Sequence, residues 1–232
     1  MKHAKCTTDS SEVRDAEPVI LNTIRKVIVD AEALWFDVTR GIETRGFVSL
    51  KDLTLVGESQ SGGFDYLPVR ARNVRQALKD LPAINRSEYT FVDLGSGKGR
   101  VLFLAAEHSF HRVEGIEFAV ELHAAAQRNI QRYRCRMGAS TEIESMSRIE
   151  SINGDASDYS FPPGNLVVHM FNPFEPSVLA KVLENLEASV KQNPRHVILI
   201  LMFPEFASVL KTMPVFRPYR ILRRYHIYEM QP

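Results

Sequence analysis

One ten-residue stretch constrains this chain more than any other. Phe91-Val92-Asp93-Leu94 reads as a buried strand, and Gly95-Ser96-Gly97-Lys98-Gly99-Arg100 follows it directly. Helical patterning then runs from Gly99 to His108. Glycines at alternate positions let a backbone turn sharply and approach a ligand, because no Cβ stands in the way. A glycine loop set between a strand and a helix commits the segment to a βα unit, and a chain built of such units folds around a parallel sheet.

The downstream pattern agrees. Strands are predicted at Arg112–Glu117, Arg148–Ile152, Leu166–Phe171 and His196–Phe203. Helices are predicted at Val120–Arg134, Ser177–Gln192 and, shorter, Glu205–Met213. Tyr219–Met230 reads as a strand-like tail. The fold class is α/β, a doubly wound and mostly parallel sheet with both faces covered. Such sheets take ligands beyond the carboxyl ends of their strands, near the point where strand order reverses. The residues that follow each strand are therefore the candidates.

Two nucleotide readings of the first loop fail on spacing. A P-loop requires GxxxxGK[ST], but Val92 stands where the opening glycine belongs and Gly99 where Ser or Thr belongs. A dinucleotide fingerprint requires GxGxxG, and counting from Gly95 the sixth residue is Arg100. What matches in full is DxGxGxG, Asp93 to Gly99. Glu117 ends the second predicted strand 24 residues after Asp93 (117 − 93), followed by Phe118. An acid about 20 residues beyond a glycine loop is placed to accept from ribose hydroxyls; it is also placed to cap the next helix. Glu114, inside the strand, is a less suitable acid. Gly154-Asp155-Ala156-Ser157 follows the third strand and Phe171-Asn172-Pro173-Phe174 the fourth. His169 lies in an apolar run and reads as a core histidine; Lys98 reads as a solvated loop charge.

This series resembles the class I S-adenosylmethionine-dependent methyltransferases. The resemblance covers about Tyr89 to Phe203. It implies a Rossmann-like catalytic domain that binds S-adenosyl-L-methionine. Asp93, Gly95, Ser96, Gly97 and Gly99 would wrap the methionine part, with Asp93 facing its amino group. Glu117 would hold the ribose and Phe118 flank the adenine, while Asp155 and Ala156 would read the adenine edge. Asn172, Pro173 and Phe174 would face the transferred methyl; they are similar to the [DN]PP[YF] motif of amino-group methyltransferases, with one proline instead of two. Upstream, Phe36-Asp37, Gly41-Ile42-Glu43-Thr44, Gly46 and Tyr66-Leu67-Pro68 resemble a bacterial group with an N-terminal extension. The Tyr-x-Pro element is distantly similar to histone lysine methyltransferases of the class I fold and their mitochondrial relatives. By that analogy Tyr66 borders the methyl site.

The expected organisation is a flexible tail over residues 1–17, a helical extension or lid over 18–85, and the Rossmann-like catalytic domain over 86–232. Ile20, Leu21, Ile24, Val27, Ile28, Ala31, Leu34, Trp35 and Val38 recur at helical spacing. They predict a helix that either packs on the core or serves as a lid or dimer contact. The usual final antiparallel hairpin is expected to be abbreviated.

Composition narrows the function classes. Twenty-nine basic against 28 acidic residues leave +1, so no strong overall field draws nucleic acid. The five basic residues and one acidic residue from Lys211 onward predict an outer strand with a solvated basic face. Cys6 and Cys135 form no metal spacing, so no metal is expected. The longest apolar run, Val197–Phe203, is far short of the roughly 18 residues a membrane span needs. No secretory signal pattern opens the chain, so a cytoplasmic setting is expected; the expected state is a monomer or homodimer with no membrane partner. The acceptor is expected to be an amine of a protein or small molecule rather than a nucleic acid. The alternative function is a non-catalytic module of this fold that acts through a partner.

Overall fold

The computed structural model describes residues 27–58, 62–137, 148–172 and 174–230. The expected tail over 1–17, the start of the first helix, Cys6 and Pro173 lie outside them. Helices are α1 (residues 27–40), α2 (Ala71–Lys79), α3 (Arg100–Ala106), α4 (Val120–Met137) and α5 (Pro176–Gln192). Strands are β1 (Tyr89–Leu94), β2 (Arg112–Glu117), β3 (Ile149–Asn153), β4 (Asn165–Phe171), β5 (Val197–Met202), β6 (Arg217–Leu222) and β7 (Tyr225–Met230).

The seven strands form one sheet in the order β3-β2-β1-β4-β5-β7-β6. Pairings among the first five are parallel, and β7 runs antiparallel to both β5 and β6. The continuous apolar run of β5 is explained by burial on both faces, for all six residues of β5, and of β1 beside β4, are buried. Neighbouring residues then serve opposite layers. Ile198, Ile200 and Met202 pack with Val74, Leu78 and Leu104, while Val197, Leu199 and Leu201 pack with Val182, Leu183 and Leu186. Strand order reverses between β1 and β4, the position of a ligand crevice in doubly wound sheets. Among the described residues no helix is long and apolar enough to cross a membrane.

Two expectations are corrected. The C-terminal hairpin is complete rather than abbreviated. Arg223 and Arg224 turn the chain, and β7 inserts between β5 and β6. The predicted strand-like tail is thus two strands, because the exposed pattern of β6 carries no period-2 signal of its own. β6 does lie at the sheet edge, solvated along its whole length as its basic composition implied.

The second correction concerns α1. Its apolar stripe does not pack on the core: Val27, Ile28, Leu34, Trp35 and Val38 are 43–66% exposed. Phe36 and Asp37 are buried instead, at 1% and 2%. The Phe36 ring lies beneath the guanidiniums of Arg40 and Arg100, 4.1 and 5.3 Å from its centroid. Asp37 is drawn inward by the donors described below. Hydrophobic periodicity identified the helix; of its two readings, packing of the stripe on the core is overturned, because the buried carboxylate of Asp37 and its partners set the inward face.

Candidate functional site

A cavity of about 1280 Å³ lies at the carboxyl ends of β1, β2 and β4. It brings together Tyr66, Asp93, Gly95, Ser96, Gly97, Glu117, Phe118, Asp155, Ala156, Asn172 and Phe174. Gly99 is not among its walls. It sits behind the loop as the N-cap of α3 with φ +88°, so its glycine serves the turn rather than a ligand.

The floor is made by the loop after β1. Asp93, 2% exposed, accepts a 2.7 Å hydrogen bond at Oδ1 from Nδ1 of His169. His169 is fully buried, as its apolar context suggested, but it also lines the cavity and orients the first acid of the loop. Parallel register places the two side by side, Asp93 on β1 opposite His169 on β4. Glu117 is 3% exposed. Its Oε2 accepts from the Gly97 N–H at 2.7 Å and its Oε1 from the Ala119 N–H at 2.9 Å. It therefore closes the start of α4 and braces the glycine loop together. Burial pushes its carboxyl up to about 7, against the opposing pull of those two N–H groups. Asp155 accepts at Oδ1 from the Ser157 N–H at 2.9 Å, an Asx turn that fixes the edge of the cavity. The rival acid Glu114 is turned to Tyr159 and Arg112 and does not line the cavity.

The loop after β4 is strained. Asn172 has φ +38° and Phe203, across the gap on the loop after β5, has φ +47°. Asn tolerates this region, whereas for a bulky aromatic it is costly and points to a functional constraint. Asn172 donates from Nδ2 to the Phe203 carbonyl. That bond fixes the amide's orientation and leaves Oδ1 as its acceptor, with no bond from the described residues. Phe171 and Phe203 meet edge-on at 5.7 Å, and with Phe174 they form an aromatic wall beside the amide.

Sequence reasoning expected a helical lid and Tyr66 at the site, but not that an irregular run forms the roof. The described residues of 41–70 cross above the floor and touch each loop in turn. Val56 donates to the Phe118 carbonyl at 3.0 Å, and Gly63 bridges to Phe174. A Cβ on Gly57 would fall 2.4 Å from the Asp155 Cβ, and one on Gly63 2.4 Å from the Phe118 ring. Tyr66 presses its ring onto Gly97, where a Cβ would lie 2.3 Å from it. The Tyr66 hydroxyl donates to the Thr44 carbonyl at 2.6 Å, and burial raises its pKa. Tyr66 thus borders the cavity as a neutral wall that anchors the extension. Lys98 corrects the sequence reading. It is not a solvated charge but 13% exposed, donating to the Arg45 carbonyl at 2.9 Å.

The extension is held by a buried polar cluster. Asp37 accepts from the Thr44 N–H at 2.9 Å and the Thr44 hydroxyl at 2.6 Å. Arg100, 4% exposed, donates to Thr44 Oγ1 at 2.8 Å and to the Val69 carbonyl at 3.2 Å. It faces Asp37 at 3.7 Å. The upstream residues Asp37, Thr44 and Tyr66 are therefore one structural unit assembled around the first residue of α3.

No protein-family model matches the chain, and no curated protein matches it in sequence. Solved structures do resemble it. A SAM dependent methyltransferase from Aquifex aeolicus superposes with a TM-score of 0.51 at 16% identity, over 69% of this chain and 90% of that one. A protein from Pyrococcus horikoshii OT3 gives 0.50 at 16% identity, over 70% and 89%. The mitomycin 7-O-methyltransferase MmcR gives 0.50 at 14% identity, over 69% of this chain and 53% of that one. This chain thus matches about half the length of the last. At such identities the shared property is the fold, the Rossmann-like sheet of the class I methyltransferases.

Proposed function

We propose that this protein, which has the class I methyltransferase fold, binds S-adenosylmethionine and methylates an amine. When bound, that cofactor supplies a methyl group on a positively charged sulfur, which leaves as a neutral thioether once a nucleophile takes the methyl. The residues present fit it. Glu117, buried at a strand end with lone pairs left on both oxygens, would hold the ribose diol. Asp155 and Ala156 would meet the adenine and Asp93 the amino group, as the motif spacing suggests.

The observation that carries the amine reading is the fixed amide of Asn172. One Nδ2 hydrogen goes to the Phe203 carbonyl and sets the plane of the amide, so Oδ1 can accept an N–H and hold the acceptor nitrogen's lone pair in line. Aromatic faces beside it favour a cationic or alkylated nitrogen. Charge supports the same choice. Eight carboxylates and three guanidiniums line the cavity, a formal −5 in a chain of +1. Such a field attracts ammonium groups and repels the phosphates of nucleic acid. Aligning the two reactants and excluding water is the main task left to the protein.

The test has two stages. S-adenosylmethionine or S-adenosylhomocysteine at about 100 times Kd should add about 2.7 kcal/mol of apparent stability. That is roughly 5–10 °C in Tm for a domain of this size, and NAD(P) should add nothing. Labelled methyl donor should then transfer label to amines of proteins or small molecules and not to RNA. Absence of any shift would favour the non-catalytic module; label in RNA would overturn the amine reading.

A further inference from the structure

The cavity is larger than one ligand requires. A pocket of roughly 300–1,000 Å³ takes a small molecule, and this one holds about 1280 Å³. Its rim is apolar and open to solvent. Phe47 is 64% exposed, Leu67 60%, Phe64 45% and Phe203 36%, and all four line the cavity. They are not scattered. The antiparallel bridge between Val48 and Tyr66 sets Phe47 beside Leu67, while Tyr66 turns the other way onto Gly97. Phe64 stacks on Phe206 at 6.3 Å, and Gly63 before it bridges to Phe174. The patch thus continues outward from the aromatic wall beside Asn172. Exposed apolar patches bordered by polar residues mark surfaces that another chain covers.

Charge defines the chemistry of that chain. Asp65 and Glu205 are exposed and line the same cavity. The three guanidiniums there already face other carboxylates. Arg45 and Arg100 lie 3.2 and 3.7 Å from Asp37, and Arg70 lies 3.2 Å from Glu32. The surplus at the rim is therefore negative. Glu205 is tied to the fixed amide, because the Phe203 carbonyl accepts both the Glu205 N–H, at 2.8 Å, and Asn172 Nδ2. A small amine would enter the cavity and leave this rim wet. An acceptor that continues past the rim covers it, with apolar side chains on the patch and basic ones against the acids. Among protein amines lysine has the reach, since its apolar stem can lie along aromatic rings while the backbone stays outside.

Resting on the amine reading, we propose that the acceptor is a lysine in an extended protein segment with apolar and basic neighbours. The segment docks along Phe47, Leu67, Phe64 and Phe206, with a basic residue against Glu205. The proposal gives a function to roof residues that no motif marked. It also accounts for the strained backbone of Phe203, whose ring forms part of the rim while its carbonyl holds the amide.

The experiment measures binding to the full chain by fluorescence anisotropy, with S-adenosylhomocysteine present. The probes are three labelled peptides of equal length, each with a single central lysine. Their flanks are leucine with arginine, leucine with glutamate, and serine with arginine. The leucine–arginine peptide should bind about tenfold tighter than either of the others. Phe47→Ser and Leu67→Ser should each cost it about tenfold, and Glu205→Lys should narrow its lead over the glutamate peptide by about the same factor. All three side chains are exposed, so the variants should fold and keep wild-type affinity for S-adenosylhomocysteine. Equal binding of the three peptides, none included, or variants indistinguishable from wild type would overturn the docking surface. So would a wild-type dimer in light scattering that Phe47→Ser dissolves, since a second copy would then cover the rim. Labelled methyl donor separates this proposal from the reading beneath it. Label in n-butylamine but in no peptide removes the protein acceptor alone; label in no amine removes both.

Discussion

The floor and the roof of the cavity are built differently. The floor consists of short loops, each leaving one strand, and its acids stand where strand register puts them: Asp93 beside His169, Glu117 at the end of β2. The roof is a run from residue 41 to 70 whose described residues hold no α-helix, a single-turn 3-10 helix at Leu50–Asp52 and isolated bridges. It keeps its shape through side chains distant in sequence, such as Asp37 with Thr44 and Arg100, or Tyr66 on Gly97. A floor made this way tolerates a lost side chain with a local loss of binding. A roof held by one buried cluster should fail as a whole.

The largest effect should come from the roof's anchor. Asp37→Ala leaves the Arg100 guanidinium buried without a counter-charge and removes the acceptor of four Thr44 and Arg45 donors. Breaking a buried pair in this way costs about 3–5 kcal/mol, a fall in Tm on the order of 10 °C. A Tm within a degree of wild type would mean the roof is not held by this cluster.

On the floor, Glu117→Ala should weaken S-adenosylhomocysteine binding by about two decades with a much smaller change in Tm. The same carboxyl supplies a pH signature. Burial holds it at about 7 in the folded protein, above the ordinary glutamate value of 4.5. The stability it contributes is therefore complete below about 4.5 and is lost as pH rises through 7. On the proposed reading ligand binding runs the other way, since the ionised form would be the acceptor of two ribose hydroxyls. Affinity should fall up to about tenfold per unit below pH 7, and Glu117→Gln should flatten the profile. A wild-type profile as flat as that of Glu117→Gln would remove the ribose role.

Contact between roof and floor is isolated by a pair of glycines. Gly57 and Gly46 have similar backbones, φ +87° and +93°, but a Cβ on Gly57 strikes Asp155 while one on Gly46 meets nothing within 4 Å. Both alanine variants carry backbone strain of about 1–3 kcal/mol. Only Gly57→Ala should also lower ligand affinity, by about tenfold, because it pries the roof from the loop that carries Asp155. Equal affinities in the two variants would show that this contact does not shape the site. The smallest effect belongs to the far edge of the sheet. Arg220→Ala on β6 breaks a half-exposed pair with Asp80, should cost under about 1 kcal/mol, and should leave ligand binding unchanged. A measurable loss of binding there would extend the site beyond the cavity.

Much of the floor was legible because its signals are local. The glycine loop announces its own turn, and the acids at Asp93, Glu117 and Asp155 are marked by their distance from strand ends. His169 was harder. Its apolar neighbours made it a core residue, and nothing nearby in sequence shows that Asp93 sits across from it, 76 residues away. Arg100 was passed over as the residue after a glycine motif. Lys98 was taken for a surface charge because its partner, the Arg45 carbonyl, lies 53 residues upstream. The exposed stripe on α1 misled for a related reason. Periodicity records which residues could share a face, and burial is then decided by what the rest of the chain offers that face.

The sequence by itself determined the alternation of strands and helices, the glycine loop and the acids that follow the strands, since each depends on backbone conformation and spacing within a few residues. Tertiary structure alone decided which face of α1 is buried, that the tail is a full hairpin, and that Asp37, Thr44, Tyr66 and Arg100 meet over the floor. The physical reason is that a buried charge or hydroxyl is stable only beside its partner. That partner can come from anywhere in the chain, so only the folded molecule reveals it.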